Sequence, residues 1–269
     1  MKALLLTLVA AVALGAGPAA AQWLNYPTPN VPRTAAGAPN LQAPAPRGAD
    51  GHPDLSGMWE PERNRPCPPQ GCFDSNLSEH FQDIGWGLKG GLPYQPWAAA
   101  LVKERLQRNS IDDPGSNCQP MGIIKNHTAP FIRKMIQLPG LVVILTEREV
   151  TWRQIFTDGR PLPVDPQPSF NGYSIGRWEG DALVVRTTGF RDGLWLDRTG
   201  NPMTSAATLT ERFRRPDYGH LDIEVTVDDL KAYTAPWTAT LRQNLVVDTE
   251  LIDYHCDENE RDATHYLGK

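Results

Sequence analysis

Apolar and polar residues alternate in short runs across residues 132–247, and tight-turn residues separate the runs. Successive side chains of a strand point to opposite faces, so this grammar predicts an antiparallel β-meander. Ile132, Lys134, Ile136 and Leu138 precede Pro139-Gly140, after which Leu141, Val143 and Leu145 share a parity, the pattern of a hairpin. Val150, Trp152, Gln154 and Phe156 carry the alternation on to a second turn signal, Asp158-Gly159. Strands over 173–178 and 182–188 flank Glu179-Gly180-Asp181, strands over 208–214 and 220–227 flank Pro216-Asp217-Tyr218-Gly219, and a last strand covers 237–247. The cleanest division into an inner and an outer face sets Leu221, Ile223, Val225 and Val227 against Asp222, Glu224, Thr226 and Asp228. With Met58-Trp59 as a short first strand, about eight or nine strands in sequential hairpins predict an all-β, antiparallel up-and-down barrel, since closure removes exposed edges. A two-sheet sandwich is the structural alternative. A barrel of this size is either filled by side chains or holds one small ligand.

Outside the meander the composition changes. Residues 22–54 are rich in Pro, Ala, Gly and Asn and contain two imperfect copies of one phrase, residues 32–41 and 46–55, each opening on Pro-Arg and ending on Leu. Repeated Pro and Gly resist helix and central strand alike, so an extended arm is expected there, followed by a single domain over 55–269. One helix is predicted over 96–108, where Pro96 suits a first turn and Trp97, Leu101 and Leu106 recur near helical spacing.

The chain opens with Met1-Lys2, an apolar run over 3–14 and small residues ending in Ala19-Ala20-Ala21, which matches a secretory signal over 1–21 cleaved before Gln22. The expected location is periplasmic or extracellular. No run reaches the roughly 20 residues of a bilayer span, so no membrane span is expected. A net charge of -5 with scattered basic residues argues against nucleic acid as a partner. Four cysteines, Cys67, Cys72, Cys118 and Cys256, in an oxidising compartment point to disulfides. The expected pairs are Cys67 with Cys72, across a short loop, and Cys118 with Cys256, tying the start of the meander to the tail. No C-x2-C pair supports a zinc site.

The phrases Pro53-Asp54-Leu55-Ser56-Gly57-Met58-Trp59, Gly176-Arg177-Trp178-Glu179-Gly180-Asp181 with Leu183-Val184-Val185, and Glu211-Arg212 resemble those of a family of secreted bacterial proteins of unassigned function. That resemblance spans nearly the whole mature chain and implies export and one β-rich domain, without carrying over any catalytic residue. Gly57-Met58-Trp59 is also similar to the Gly-x-Trp of lipocalin-like barrels, in which an arginine packs on the indole. The resemblance implies a structural role for Gly57 and Trp59, with Arg212 or Arg242 as the stacking partner.

Candidate chemistry is sparse. Gly172-Tyr173-Ser174-Ile175-Gly176 matches the G-x-S-x-G nucleophile elbow, but an elbow needs a strand before and a helix after it, and the following residues read as strand. Two carboxylates fall in phase with apolar faces: Glu147 follows Leu141, Val143 and Leu145, and Glu211 lies between Leu209 and Phe213. Pointing inward they would serve as general acid and base, or Glu211 would pair with an arginine as a structural ion pair while Glu147 sat in a solvated turn. His127, before the first long strand, is the candidate titrating group at a barrel mouth. None of the six histidines has metal-binding spacing, and no phosphate loop or dinucleotide fingerprint is present, so neither metal nor cofactor is expected.

Trp152, Gln154, Phe156, Trp195, Arg212 and Trp237 are the candidate lining of a small-molecule site. The leading expectation is an exported, disulfide-stabilised barrel that holds a small, partly apolar molecule inside. The alternatives are a cofactor-independent lyase, isomerase or hydrolase using Glu147 and Glu211, and an envelope structural or interaction protein.

Overall fold

A computed structural model describes residues 26–65 and 77–256; the expected signal segment and the Cys67 and Cys72 pair lie outside the described residues. The strands are β1 (Gly57–Pro61), β2 (Arg133–Leu138), β3 (Leu141–Thr146), β4 (Thr151–Phe156), β5 (Tyr173–Glu179), β6 (Ala182–Thr188), β7 (Leu194–Trp195), β8 (Pro202–Met203), β9 (Thr208–Arg214), β10 (His220–Asp228) and β11 (Trp237–Val246). Nine of them close into a barrel in the order β1-β11-β10-β9-β6-β5-β4-β3-β2, and β7 with β8 forms a separate small sheet between β6 and β9. Three helices lie between β1 and β2: α1 (Glu79–Gln82), α2 (Pro96–Gln107) and α3 (Ile123–Thr128). None of the described helices is long and apolar enough to cross a membrane.

The ring departs from the wholly antiparallel expectation at one contact. Strands β4 and β5 run parallel and pair only at Ile155 with Ser174 and Phe156 with Ile175. Directions cannot alternate around an odd ring, so nine strands need one like-directed pair. A parallel neighbour also needs a returning crossover, here residues 157–172.

A second correction concerns parity. In β10 the predicted face is the buried one: Leu221, Ile223, Val225 and Val227 point inward. In β2, β3 and β4 the inward residues are instead Arg133 and Met135, Val142, Ile144 and Thr146, and Arg153 and Ile155. Both faces of these strands are rich in apolar residues, so alternation alone has no sign. The ladder decides it, pairing Arg133 with Trp59 and Ile155 with Ser174. Helix α2 ends one residue earlier than predicted and buries Ala98 and Val102, whereas Trp97 and Leu106 are exposed.

The first strand closes the ring, between β11 and β2. Gly57 has φ +148°, and a Cβ there would stand 2.6 Å from Leu245 Cδ1, so only glycine fits without displacing that side chain. The Trp59 indole is fully buried and donates from Nε1 to the Leu55 carbonyl. The guanidinium over it belongs to Arg215, 4.9 Å from the ring, rather than to Arg212 or Arg242. Arg215 also donates to the carbonyls of Asp54, Ser56 and Tyr218. Arg212 lies on the outer face, paired with Glu179 at 2.9 Å.

The arm is more ordered than its composition predicts. Its two copies fold into the same turn: Asn40 N–H donates to the Pro32 carbonyl as Asp54 N–H does to Pro46, and Arg33 donates to the Gly37 carbonyl as Arg47 does to Gly51. Each arginine also grips one carboxylate beyond the arm, Arg33 to Asp248 and Arg47 to Asp181, and His52 stacks on Trp178 at 4.6 Å. Arg215→Met is expected to lower stability by about 2 kcal/mol, because it strips three partly buried carbonyls of a charged donor and uncovers the indole. Arg47→Ala should change little, since exposed ion pairs contribute little. Equal shifts of the two denaturation midpoints would contradict this assignment of roles.

Candidate functional site

Because Arg153 and Glu211 both take inward positions, on β4 and β9, they meet inside the barrel. Arg153 donates to Glu211 Oε1 at 3.0 Å and to Oε2, and it holds the Ser174 and Thr187 hydroxyls at 3.1 and 3.0 Å. Helix α3 places His127 across the lumen, with Nε2 2.7 Å from Glu211 Oε1. Its Nδ1 faces the Arg133 guanidinium, which can only donate, so the imidazole is neutral with its proton on Nε2, donating to Glu211. Arg133 also donates to Gln243 Oε1, and Gln243 Nε2 donates to the His127 carbonyl. These hydrogen bonds cross the lumen, so side chains fill it at this level, and the expected interior ligand space is occupied by the protein's own polar groups.

Burial dominates the electrostatics. It opposes the imidazolium of His127, as does Arg133, and brings that group down to about 4. Burial alone would raise the Glu211 carboxyl, but Arg153 and the hydrogen bond from His127 outweigh it and hold the group at about 2. Burial likewise pushes the Arg133 guanidinium down to about 9, still charged at neutral pH. The network is therefore two cations around one anion.

Glu147 does not join it. With Thr146 inward, Glu147 falls on the other parity and spends its carboxylate on the Ile132 N–H at 3.1 Å; burial raises its pKa, and that hydrogen bond opposes the rise. Ser174 of the G-x-S-x-G match is buried at the start of β5, its hydroxyl held by Arg153 and Thr187, with strand rather than helix after it. Trp237 points inward and packs edge-on against Tyr233 at 5.5 Å. Cys118 and Cys256 are joined, with Cα atoms 5.3 Å apart. Among the described residues, the group close enough to share a metal is Cys118, Glu149 and Cys256, whose two sulfurs are spent in that bond.

Reversed parity carries Trp152, Gln154 and Phe156 to the outer face of β4, where they line a cleft of about 380 Å³ with Phe170, Asn171 and Tyr173. The cleft sits where the start of β4 and the segment leading into β5 stand apart, ahead of the two paired residues. Asn171 Nδ2 donates to the Trp152 carbonyl at 3.0 Å, bridging the gap. Gly172, at φ +57°, lets β5 start here, since a Cβ would stand 2.5 Å from the Thr188 carbonyl oxygen. Phe156 stacks on Tyr173 at 5.3 Å, and Arg160 covers Phe156 at 3.9 Å. Trp152 is left 66 % exposed. Arg153 and Ser174 also line the cleft and connect it to the buried network.

Two further cavities adjoin the barrel. His127 and Gln243 line one of about 290 Å³ with His80 and Trp86. Trp195, buried beneath the Arg105 guanidinium at 4.2 Å, lines one of about 130 Å³. Sequence reasoning missed Arg153, whose signal was an arginine in phase with Ile155, and it missed the cleft, because nothing local announces a parallel pair. No protein-family model matches the chain, and no curated protein matches it.

Proposed function

We propose that the protein is an exported binding protein that holds a small, partly apolar molecule in the outer cleft between β4 and β5. The observation that carries this reading is the cleft itself: about 380 Å³, aromatic on several sides, with Gln154 and Asn171 offering polar anchors. That size and mixture suit a small-molecule site. Trp152, 66 % exposed, keeps a large apolar face in water that a ligand would cover. The apolar run and Ala19-Ala20-Ala21 at the start of the chain, with the Cys118 to Cys256 bond, support export. Arg215 over Trp59 supports the likeness to lipocalin-like barrels. Acid and base work by Glu147 and Glu211 has less support, because Glu147 is bound to a backbone N–H and Glu211 to Arg153 and His127.

Native mass spectrometry of the mature chain against a library of small aromatic and aliphatic compounds tests the reading. A specific ligand is expected, with Trp152→Ala weakening it at least about tenfold, the scale of a buried aromatic contact. Thermal stability should hardly change, since this side chain is largely in water. A library without a binder, or a ligand indifferent to Trp152→Ala, would remove the cleft as the site.

A further inference from the structure

Beyond Pro120 and Phe170, which line both spaces, the outer cleft gives way to the cavity of about 130 Å³. Met121, Leu194 and Trp195 form apolar walls, and Lys125 and Asp113 stand among them. A space near this size accommodates one benzene-sized ring.

Lys125 projects from α3 and is 3 % exposed. Its Nζ donates to Asp113 Oδ1 at 2.6 Å and Oδ2 at 2.5 Å. An ammonium has three donors. Asp113 takes two, and the third finds no protein acceptor among the described residues, although Nζ stands only 5.8 Å from the centre of the Trp195 ring. A buried donor without an acceptor costs free energy, so an oxygen entering the cavity would gain what the protein does not supply. The carboxylates nearby are already engaged: Asp113 accepts from the Gly115 N–H as well, and Asp192 from the Ser205 N–H at 2.7 Å. At the rim, Arg191 lies over Phe170 at 4.5 Å and adds a second cation to the lining. The two cations and two carboxylates of the lining balance, so selection falls to the spare ammonium donor, whose charge-assisted bond is stronger to a carboxylate than to a neutral oxygen.

We propose that this cavity binds a small monocarboxylic acid bearing one ring or a short chain, its carboxylate on Lys125 Nζ and its apolar body against Phe170 and Trp195. The cavity adjoins the outer cleft and shares Pro120 and Phe170 with it, but the contact on Lys125 and Trp195 does not depend on the cleft being occupied.

Benzoate, benzamide and toluene titrated into the mature chain, with the indole N–H resonances followed by NMR, test the assignment. Benzoate should saturate, bind at least tenfold tighter than either neutral compound, and move the Trp195 resonance but not that of Trp152. Lys125→Met should abolish the preference for the anion. Should that variant fail to fold, the ranking of the three compounds and the Trp195 shift decide the matter on the unaltered chain. No saturation by benzoate, equal affinities for benzoate and benzamide, an unmoved Trp195 resonance, or a preference that survives in folded Lys125→Met would each overturn the proposal.

Discussion

Glu211→Ala is expected to destabilise the barrel by about 3–5 kcal/mol, the cost of removing one partner from a buried ion pair. The loss would leave Arg153 with only the Ser174 and Thr187 hydroxyls, deprive His127 Nε2 of its acceptor, and leave two buried guanidiniums with no anion between them. In a domain of this length each kcal/mol moves the melting midpoint by roughly 2–4 °C, so a fall of about 6–20 °C should be visible by calorimetry. The double variant Glu211→Leu with Arg153→Met should recover only part of that loss, since the pair is removed together but the buried Arg133 guanidinium is left without its anion. A change below about 1 kcal/mol in Glu211→Ala would show that the network contributes little to the fold.

Acid should act on the same network in two consecutive ranges. His127 is a base whose folded value, about 4, lies below its ordinary 6.5, so folding favours the neutral ring. Its contribution is complete above pH 6.5 and is lost as pH falls towards 4. Glu211 is an acid held at about 2 against an ordinary 4.5, so its contribution is complete above pH 4.5 and is lost as pH falls towards 2. Each range corresponds to roughly 3 kcal/mol. Urea midpoints measured from pH 7 to 3 should therefore fall throughout, and His127→Gln should flatten the upper range while leaving the lower one. An identical pH profile in that variant would assign the acid sensitivity to other groups.

Much of the architecture was legible because it is local. Pro139-Gly140 and Gly180-Asp181 mark real hairpins, and the nine barrel strands fall within a few residues of their predicted positions. Glu211 was legible too, since Leu209 and Phe213 fix its side of β9 and leave a carboxylate inside. Strands β2 to β4 defeated the same reasoning: Leu145, Trp152 and Phe156 outweigh Val142, Ile144 and Ile155 in bulk, yet the smaller set faces the core. The error carried Glu147, Trp152, Gln154 and Phe156 to the wrong side together. Helix α3, six residues long, lies below the length at which periodicity speaks, so His127 looked like a residue at a barrel mouth when it is part of the stopper. The repeat in the arm was readable as a repeat, but its docking on Asp181 and Asp248 depends on partners far away in the chain.

The strand count has a consequence for where recognition can occur. With eight strands every neighbour could run opposite to the last, and the wall could be laced without interruption; a ninth obliges two to travel together, and here they are joined by only two residue pairs. A stave too many leaves a notch in the side of the cask, so a barrel whose inside is already taken still has somewhere to receive a guest.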